Sequence, residues 1–107
     1  MALAGAVLFV AEEDGRVVGN LGLHPDGAGS AALGMSVASS WRRHGIGTAL
    51  LESAARWSRE AGLRELRLEV CEANNPAVEL YRKFGFVETT PPRPGERGAV
   101  LTMAKGL

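Results

Sequence analysis

A helical pattern enclosed by strand patterns is the feature that most restricts what this chain can fold into. Apolar residues recur at helical spacing between Ile46 and Ala61, with one face formed by Leu50, Ala54, Trp57 and Ala61 and flanked by Leu51 and Ala55. Gly62 stands where a helix-ending glycine is expected. AALGMSV at 31–37 precedes this helix, and LRELRLEVC at 63–71 follows it with alternating polarity. Because such a connection joins parallel strands, we expect a parallel pair here.

The remaining segments complete one α/β domain. VLFVAEEDGRVVGNLGLH, residues 7–24, predicts a hairpin around the Asp14–Gly15 turn. A second helix is indicated by the spacing of Ala77, Leu80, Tyr81 and Phe84, and it closes at Gly85. FVETT at 86–90 starts a strand, PPRPGERG at 91–98 is a loop, and AVLTMA at 99–104 is the last strand. The predicted order over residues 1–107 is β-β-β-α-β-α-β-β, with a mixed sheet and helices packed on it.

Composition excludes several classes of function. The net charge of the 107 residues is zero, which gives no reason to expect nucleic acid or membrane partners. Cys71 is the only cysteine, so an internal disulfide and a cysteine-built zinc site are excluded, and a cytoplasmic location is expected. The two histidines and scattered carboxylates have no metal-ligand spacing, so we expect no metal. MALAGAVLFV is too short to span a bilayer.

The stretch WRRHGIGT, residues 41–48, joins glycine and positive charge where the first helix begins. The first turn of a helix has unpaired N–H groups, and glycines at 45 and 47 permit close approach of a ligand. These features predict a site for phosphate or pyrophosphate, assisted by Arg42, Arg43, His44 and Thr48. The alternative is a glycine turn with solvated arginines. The stretch is neither a Walker loop nor GxGxxG, since position 50 is leucine.

A second candidate site lies in EANNPAVELYRKFGF, residues 72–86. Pro76 suits the first helical position and Asn75 the N-cap, which leaves Asn74 for a ligand, or for a bond to its own loop backbone. The spacing of Tyr81 is typical of a core residue. Its hydroxyl would nevertheless be a proton donor if it reached a buried leaving group.

Taken together, the two stretches resemble the GNAT superfamily of acyl-CoA-dependent N-acyltransferases. Arg42, Gly45 and Gly47 match its R/Q-x-x-G-x-G/A motif. The N-x-x-A-x-x-L-Y-x-x-x-G-F motif is matched by Asn74, Ala77, Leu80, Tyr81, Gly85 and Phe86. The similarity runs from Leu8 to the end of the chain. It implies a mostly antiparallel sheet, with its parallel pair at a cofactor cleft.

The resemblance also implies roles for residues. Backbone N–H groups from Arg43 to Thr48 would hold the pyrophosphate of acetyl-CoA, and the strand ending at Val37 would diverge from the 66–71 strand to admit pantetheine. The Val37 N–H would polarise the thioester carbonyl, Asn74 would bond the pantetheine arm, and Tyr81 would protonate the departing thiolate. The implied cofactor-binding set is Met35, Ser36, Val37, Arg42, Arg43, His44, Gly45, Ile46, Gly47, Thr48, Asn74, Ala77 and Tyr81.

Two departures from the family pattern stand out. Many relatives carry a glutamate where this chain has Ala32, which leaves the general base unassigned among Glu12, His24, Glu69, a water chain and an amine that arrives neutral. Relatives usually begin with a further strand and two helices, so we expect either a truncated chain or completion by another subunit, and a homodimer. Our first hypothesis is an N-acetyltransferase acting on a primary amine. The alternative is a coenzyme-A-binding module without turnover, and a nucleotide-phosphate binder is third.

Overall fold

The computed structural model describes residues 5–41 and 45–107. A hairpin of β1 (Val7–Glu13) and β2 (Arg16–Pro25) is followed by β3 (Ser30–Val37) and a short 3-10 helix (Ser39–Trp41). Then come α1 (Ile46–Glu60), β4 (Glu65–Cys71) and α2 (Asn75–Phe84). The chain ends with β5 (Val87–Glu88), β6 (Arg93–Gly95) and β7 (Gly98–Gly106). This order confirms the predicted fold class and adds one strand.

The strands form one seven-stranded sheet in the order β1-β2-β3-β4-β7-β5, with β6 paired to β7. The pair β3–β4 is parallel, and the other pairs are antiparallel. The predicted parallel pair across α1 is therefore confirmed. Residues from both helices and from β2, β3, β4 and β7 share a single buried cluster, so both helices cover the same face of the sheet. No described helix is long and apolar enough to cross a bilayer.

The opposite face of the sheet is exposed in the described residues, and we call it the open face. On β1, Val7, Phe9 and Ala11 pack against the core, while Leu8 and Val10 are 66% and 49% exposed. Alternate residues of β3 and β4 are exposed in the same way, since side chains of a strand point alternately to the two faces. Side chains on the open face are therefore accessible to solvent and to a polar ligand.

Helix α1 buries a slightly different stripe from the predicted one. Leu50, Leu51, Ala54 and Ala55 are buried as expected. Trp57 is half-buried and packs against the core, whereas Ala61 is exposed, which corrects its assignment to the same face, and Ser58 is fully buried. The helix ends in a Schellman motif, in which the N–H of Gly62 donates to Arg59 and that of Leu63 donates to Ser58. This ending turns Ala61 out to solvent.

The N-cap of α2 is Asn74, which corrects the prediction of Asn75. Asn75 is already helical, and the Oδ1 of Asn74 accepts the N–H of Ala77 at 3.4 Å. With Asn75 and Pro76 as the first two helical residues, Ala77 is the third, and its N–H is the one that an N-cap side chain ordinarily reaches. Gly85 ends the helix as predicted, with a φ of +112°.

The segment 91–98, predicted to be a loop, contains β6. Arg93 pairs with Val100 and Gly95 with Gly98, so the segment forms a tight hairpin with β7. Pro94 lies in β6, which is permitted because β6 is paired only with β7 in the described sheet. The hairpin brings Arg93 to the open face of β4, where its guanidinium donates to Glu69 at 2.7 Å.

Candidate active site

The site begins where β3 and β4 separate. The two strands pair only at Ser30–Glu65, Ala31–Leu66 and Ala32–Arg67. Beyond these pairs, β3 stays bound to β2 as far as Val37, while β4 stays bound to β7 as far as Cys71. Since each strand follows a different neighbour, a gap widens between them. This divergence is the one that the sequence resemblance implied.

A cleft of about 890 Å³ continues from this gap. Three separate segments meet around it: the end of β3, the start of α1 and the start of α2. Of the residues predicted to form the site, the cleft is lined by Met35, Ser36, Val37, Gly45, Gly47, Thr48, Asn74, Ala77 and Tyr81. Arg42, Arg43 and His44 lie outside the described residues. Residues far apart in sequence are thus brought to one surface.

The first turn of α1 faces the cleft without a side-chain cap among the described residues. Gly45 precedes the helix in a left-handed conformation, with a φ of +78°, and its carbonyl accepts the N–H of Ala49 at 3.0 Å. The N–H groups before Ala49 have no carbonyl one turn earlier within the helix. Because the helix dipole adds partial positive charge there, this end of the cleft suits an anion.

Gly47 is needed for a second reason, which is the approach of α2. A Cβ at position 47 would lie 2.8 Å from Cδ2 of Leu80 and 3.4 Å from Cε of Met35. The absence of a side chain therefore lets the two helices and β3 converge at the floor of the cleft. It also leaves the backbone of α1 accessible from the cleft.

Tyr81 lines the cleft although only 6% of it is exposed. Its ring packs edge-on against Phe86, with centroids 5.7 Å apart. The sequence left a core position and a catalytic one open for this residue, and the structure shows a buried ring at the border of the cavity. Burial raises the pKa of the Tyr81 phenol above its ordinary value of 10.0, because the phenolate would be poorly solvated. The hydroxyl is therefore protonated at neutral pH.

Asn74 uses its amide oxygen for the cap of α2, and this leaves the two amide N–H donors for a different partner. Because the residue also borders the cleft, its side chain can serve both purposes. The sequence predicted either a ligand or a bond to its own backbone for Asn74, and the bond from the Ala77 N–H shows the second of these.

These features agree with the comparison to known proteins. Residues 2–86 match the family model described as the acetyltransferase (GNAT) family. The chain belongs to the GNAT acetyltransferase family. The resemblance inferred from the two motifs is thereby confirmed.

Several relatives are similar over most of this GNAT chain. An N-alpha-acetyltransferase of Sulfurisphaera tokodaii is 38% identical, over 78% of this chain and 58% of its own length. The ribosomal-protein-S18-alanine N-acetyltransferase of Escherichia coli superposes with a TM-score of 0.84 at 28% identity, covering 94% of this chain and 68% of that one. A GNAT family acetyltransferase of Elizabethkingia anophelis, solved with acetyl-CoA bound, shares the fold with a TM-score of 0.80 at 19% identity, over 94% and 75% of the two chains. The chain spans about half the length of the curated relatives it matches.

Ile46 is the one described residue of the predicted set that does not line the cleft of this GNAT domain. Its side chain points down onto the sheet, where a Cβ at Gly19 would lie 3.0 Å from its Cγ2. Conversely, the cleft is also lined by residues that the sequence analysis did not select, namely Trp41, Asn75, Pro76, Glu79, Leu80 and Lys83. Asn75, Glu79 and Lys83 follow one another at four-residue spacing, so they share one face of α2. This spacing is the sequence signal from which Glu79 and Lys83 could have been predicted.

A second cavity, of about 500 Å³, lies beyond the cleft over the paired part of β3 and β4. Residues 31–33 line it, whereas residues 35–37 line the cleft, and Gly34 separates them. His24 and Glu69, two of the three candidate bases, border this cavity, and Glu12 borders neither. No group of three or more His, Cys, Asp and Glu side chains that would hold a metal occurs within 5–41 and 45–107.

Proposed function

We propose that this protein is an N-acetyltransferase that moves the acetyl group of acetyl-CoA to a primary amine. The observation that carries the proposal is the convergence of three elements on one cleft: the diverging edge of β3, the start of α1, and Tyr81 of α2. An elongated thioester with an anionic end requires each of them. The acetyl-CoA bound by the GNAT neighbour from Elizabethkingia anophelis supports the choice of donor.

The start of α1 would hold the pyrophosphate through backbone N–H groups from Gly45 to Thr48. Arg42 and Arg43 would add positive charge there, and His44 would add a hydrogen-bond donor. The pantetheine would then lie along residues 35–37 of β3 in the gap left by β4, with Asn74 and Ala77 on its other side. The cleft therefore aligns the thioester with the sheet before any chemistry occurs.

Two groups would act on the reacting atoms. The Ala38 N–H donates to Val18 of β2 at 2.8 Å, and N–H groups alternate between the two edges of a strand, so the Val37 N–H is directed to the β4 side. There it would stabilise the oxyanion that forms when the amine attacks the thioester carbonyl. Tyr81, protonated at neutral pH, would give its proton to the sulfur as the C–S bond breaks.

The test is a thiol-release assay with acetyl-CoA and a panel of amines, run beside calorimetry with coenzyme A. The panel contains L-amino acids, spermidine, kanamycin and a short peptide that begins with alanine. We expect coenzyme A to bind and at least one amine to give acetylated product by mass spectrometry. Failure of coenzyme A to bind would refute the proposal.

A second candidate function is a coenzyme-A-binding module without turnover. Ala32 favours it, since this residue faces the open side at the end of the β3–β4 pairing and carries no acid–base group. Binding of acetyl-CoA without thiol release for any amine in the panel would support the module and exclude the enzyme.

We further propose that the protein is cytoplasmic and forms a homodimer. Cys71 is a free cysteine, which suits a reducing compartment. Leu8 and Val10 expose apolar side chains on the open face, and contact with a second copy would remove them from water. Light scattering after gel filtration would test the dimer, and a monomeric mass at micromolar concentration would refute it.

A further inference from the structure

The cleft and the second cavity lie end to end along β3. The thioester proposed at the Val37 N–H would lie in the cleft lined by residues 35–37, and residues 31–33 of the same strand belong to the second cavity. Gly34 has no side chain, and a Cβ built there would meet nothing within 4 Å. The passage from one cavity to the other is therefore not obstructed by this residue. An amine that attacks the thioester from the second cavity must lose a proton there.

His24 stands beside this passage. It pairs across the sheet with Ala32, so both side chains lie on the open face, in the row where β3 last contacts β4. Its ring extends over Gly22, since a Cβ at position 22 would lie 3.6 Å from Nε2. Gly22 in turn pairs directly with Gly34. The imidazole is thus directed from the row of Ala32 toward the row of Gly34, which lies between the second cavity and the cleft.

We propose that His24 is the group that takes the proton from the acceptor amine, an assignment that rests on the proposed acetyltransferase function. The imidazole makes no hydrogen bond or ion pair with any other described residue, and its ring nitrogens are therefore free to act on a ligand. Imidazole is the side chain that most often serves as a general base near neutral pH. It supplies the function that the alanine at position 32 does not have.

The other carboxylates and bases near the passage are already engaged or too far away. On the open face, the Oε1 of Glu69 accepts a hydrogen bond from the Nη2 of Arg93 at 2.7 Å. Asp26 accepts backbone N–H groups from Ala28 at 2.7 Å and Ser30 at 3.2 Å. Glu12 is paired with Val17 near the β1–β2 turn and lines neither cavity. Among the three candidates for the base, the structure favours His24.

The proposed step balances as follows. Neutral His24 accepts one proton from the ammonium form of the acceptor, and the freed lone pair forms the bond to the thioester carbonyl carbon. The C–S bond then breaks, and the thiolate takes the proton of the Tyr81 phenol. The nitrogen loses its second proton as the amide forms, and this proton passes to the phenolate of Tyr81 and restores the phenol. His24 returns its proton to water, so the net products are the amide, the free thiol and one proton.

The experiment compares His24→Gln with wild type in the thiol-release assay, using acetyl-CoA and the best amine of the panel. We expect kcat/KM for the amine to fall about 10²–10⁴-fold at pH 7. The difference in kcat/KM between His24→Gln and wild type should become smaller as pH rises, because more of the amine is then neutral before it binds. The charged groups that share the cavity with His24 are Asp26, Arg67 and Glu69. Glu69→Gln therefore serves as the competing variant and Glu12→Gln as the control.

Three further measurements distinguish a purely structural role of His24 from the proposed role as proton acceptor. The Kd for coenzyme A and the melting temperature of His24→Gln should equal those of wild type, and added imidazole should restore part of the activity of His24→Ala. If wild type is active and His24→Gln matches it, or if Glu69→Gln alone loses activity, the assignment of His24 is wrong while the acetyltransferase function stands. If wild type binds coenzyme A but releases no thiol, both proposals fail.

Discussion

Gly47 and Leu80 meet at the floor of the cleft, where the Cβ that Gly47 lacks would lie 2.8 Å from Leu80 Cδ2. The contact joins the start of α1 to the middle of α2. It makes the width of the cleft depend on a residue whose backbone also faces the proposed pyrophosphate site. We expect Gly47→Ala to push the Leu80 side chain into the cleft and to weaken coenzyme A binding at least about tenfold, or ~1.4 kcal/mol.

Gly45→Ala is the matched comparison, because it changes the backbone and not the cleft volume. A Cβ at position 45 meets nothing within 4 Å, yet the φ of +78° is unfavourable for alanine by about 1–2 kcal/mol. Alanine at 47 instead gains about 1 kcal/mol of helix propensity. We therefore expect Gly45→Ala to lower the melting temperature and Gly47→Ala to leave it nearly unchanged. A lower melting temperature for Gly47→Ala than for Gly45→Ala would contradict this account.

Tyr81→Phe should separate chemistry from binding. The ring would keep its edge-on contact with Phe86, so the melting temperature and the Kd for coenzyme A should change little. Loss of the proton donor should reduce kcat about 10²–10⁴-fold. Because burial raises the pKa of the phenol above 10.0, the wild-type rate should not fall through ionisation of Tyr81 below pH 10. Activity of Tyr81→Phe equal to wild type would remove this residue from the mechanism.

Ser58→Ala should stabilise the protein. Ser58 is fully buried in α1, and its hydroxyl has no hydrogen-bond partner in the part of the chain that the structure describes. Removing a buried, unpaired hydroxyl recovers roughly 1–3 kcal/mol of desolvation free energy. Ser53→Ala on the exposed side of the same helix isolates the gain from helix propensity alone. In chemical denaturation, the unfolding free energy should rise more for Ser58→Ala than for Ser53→Ala. Equal increases would show that the Ser58 hydroxyl has a hydrogen-bond partner.

Asp26→Asn should remove part of the acid sensitivity of folding. Hydrogen bonds from the Ala28 and Ser30 N–H groups, with a smaller contribution from Arg67, lower the pKa of the Asp26 carboxyl below 3.8. The carboxylate therefore stabilises the fold above that value, and this stabilisation is lost as pH falls through the lowered pKa. The variant should melt at a lower temperature than wild type at pH 7, and the difference should shrink toward pH 2.5. A constant difference across this range, followed by circular dichroism, would argue against the charge.

Local patterns were sufficient for most of the secondary structure. The turn at Asp14–Gly15, the glycines after both helices and the alternation in 65–71 each depend on neighbouring residues, so they could be predicted from the sequence. The β6 strand could not, because proline and glycine in 91–98 indicate a loop until β7 offers a partner. The cap of α2 was missed because two adjacent asparagines are equivalent in sequence, and only the hydrogen bond to Ala77 distinguishes them.

The sequence by itself determined the order of elements, the parallel pair across α1, the family, and most of the residues around the cleft, since periodicity and motif spacing are local properties of the chain. The tertiary structure decided the rest. Divergence of β3 from β4 after Ala32, the fit of Leu80 against Gly47 and the direction of His24 toward Gly34 all depend on strand register and helix packing. Strand register and helix packing bring together residues that are distant in sequence, so the shape of the cleft between them cannot be predicted from any one segment of the chain.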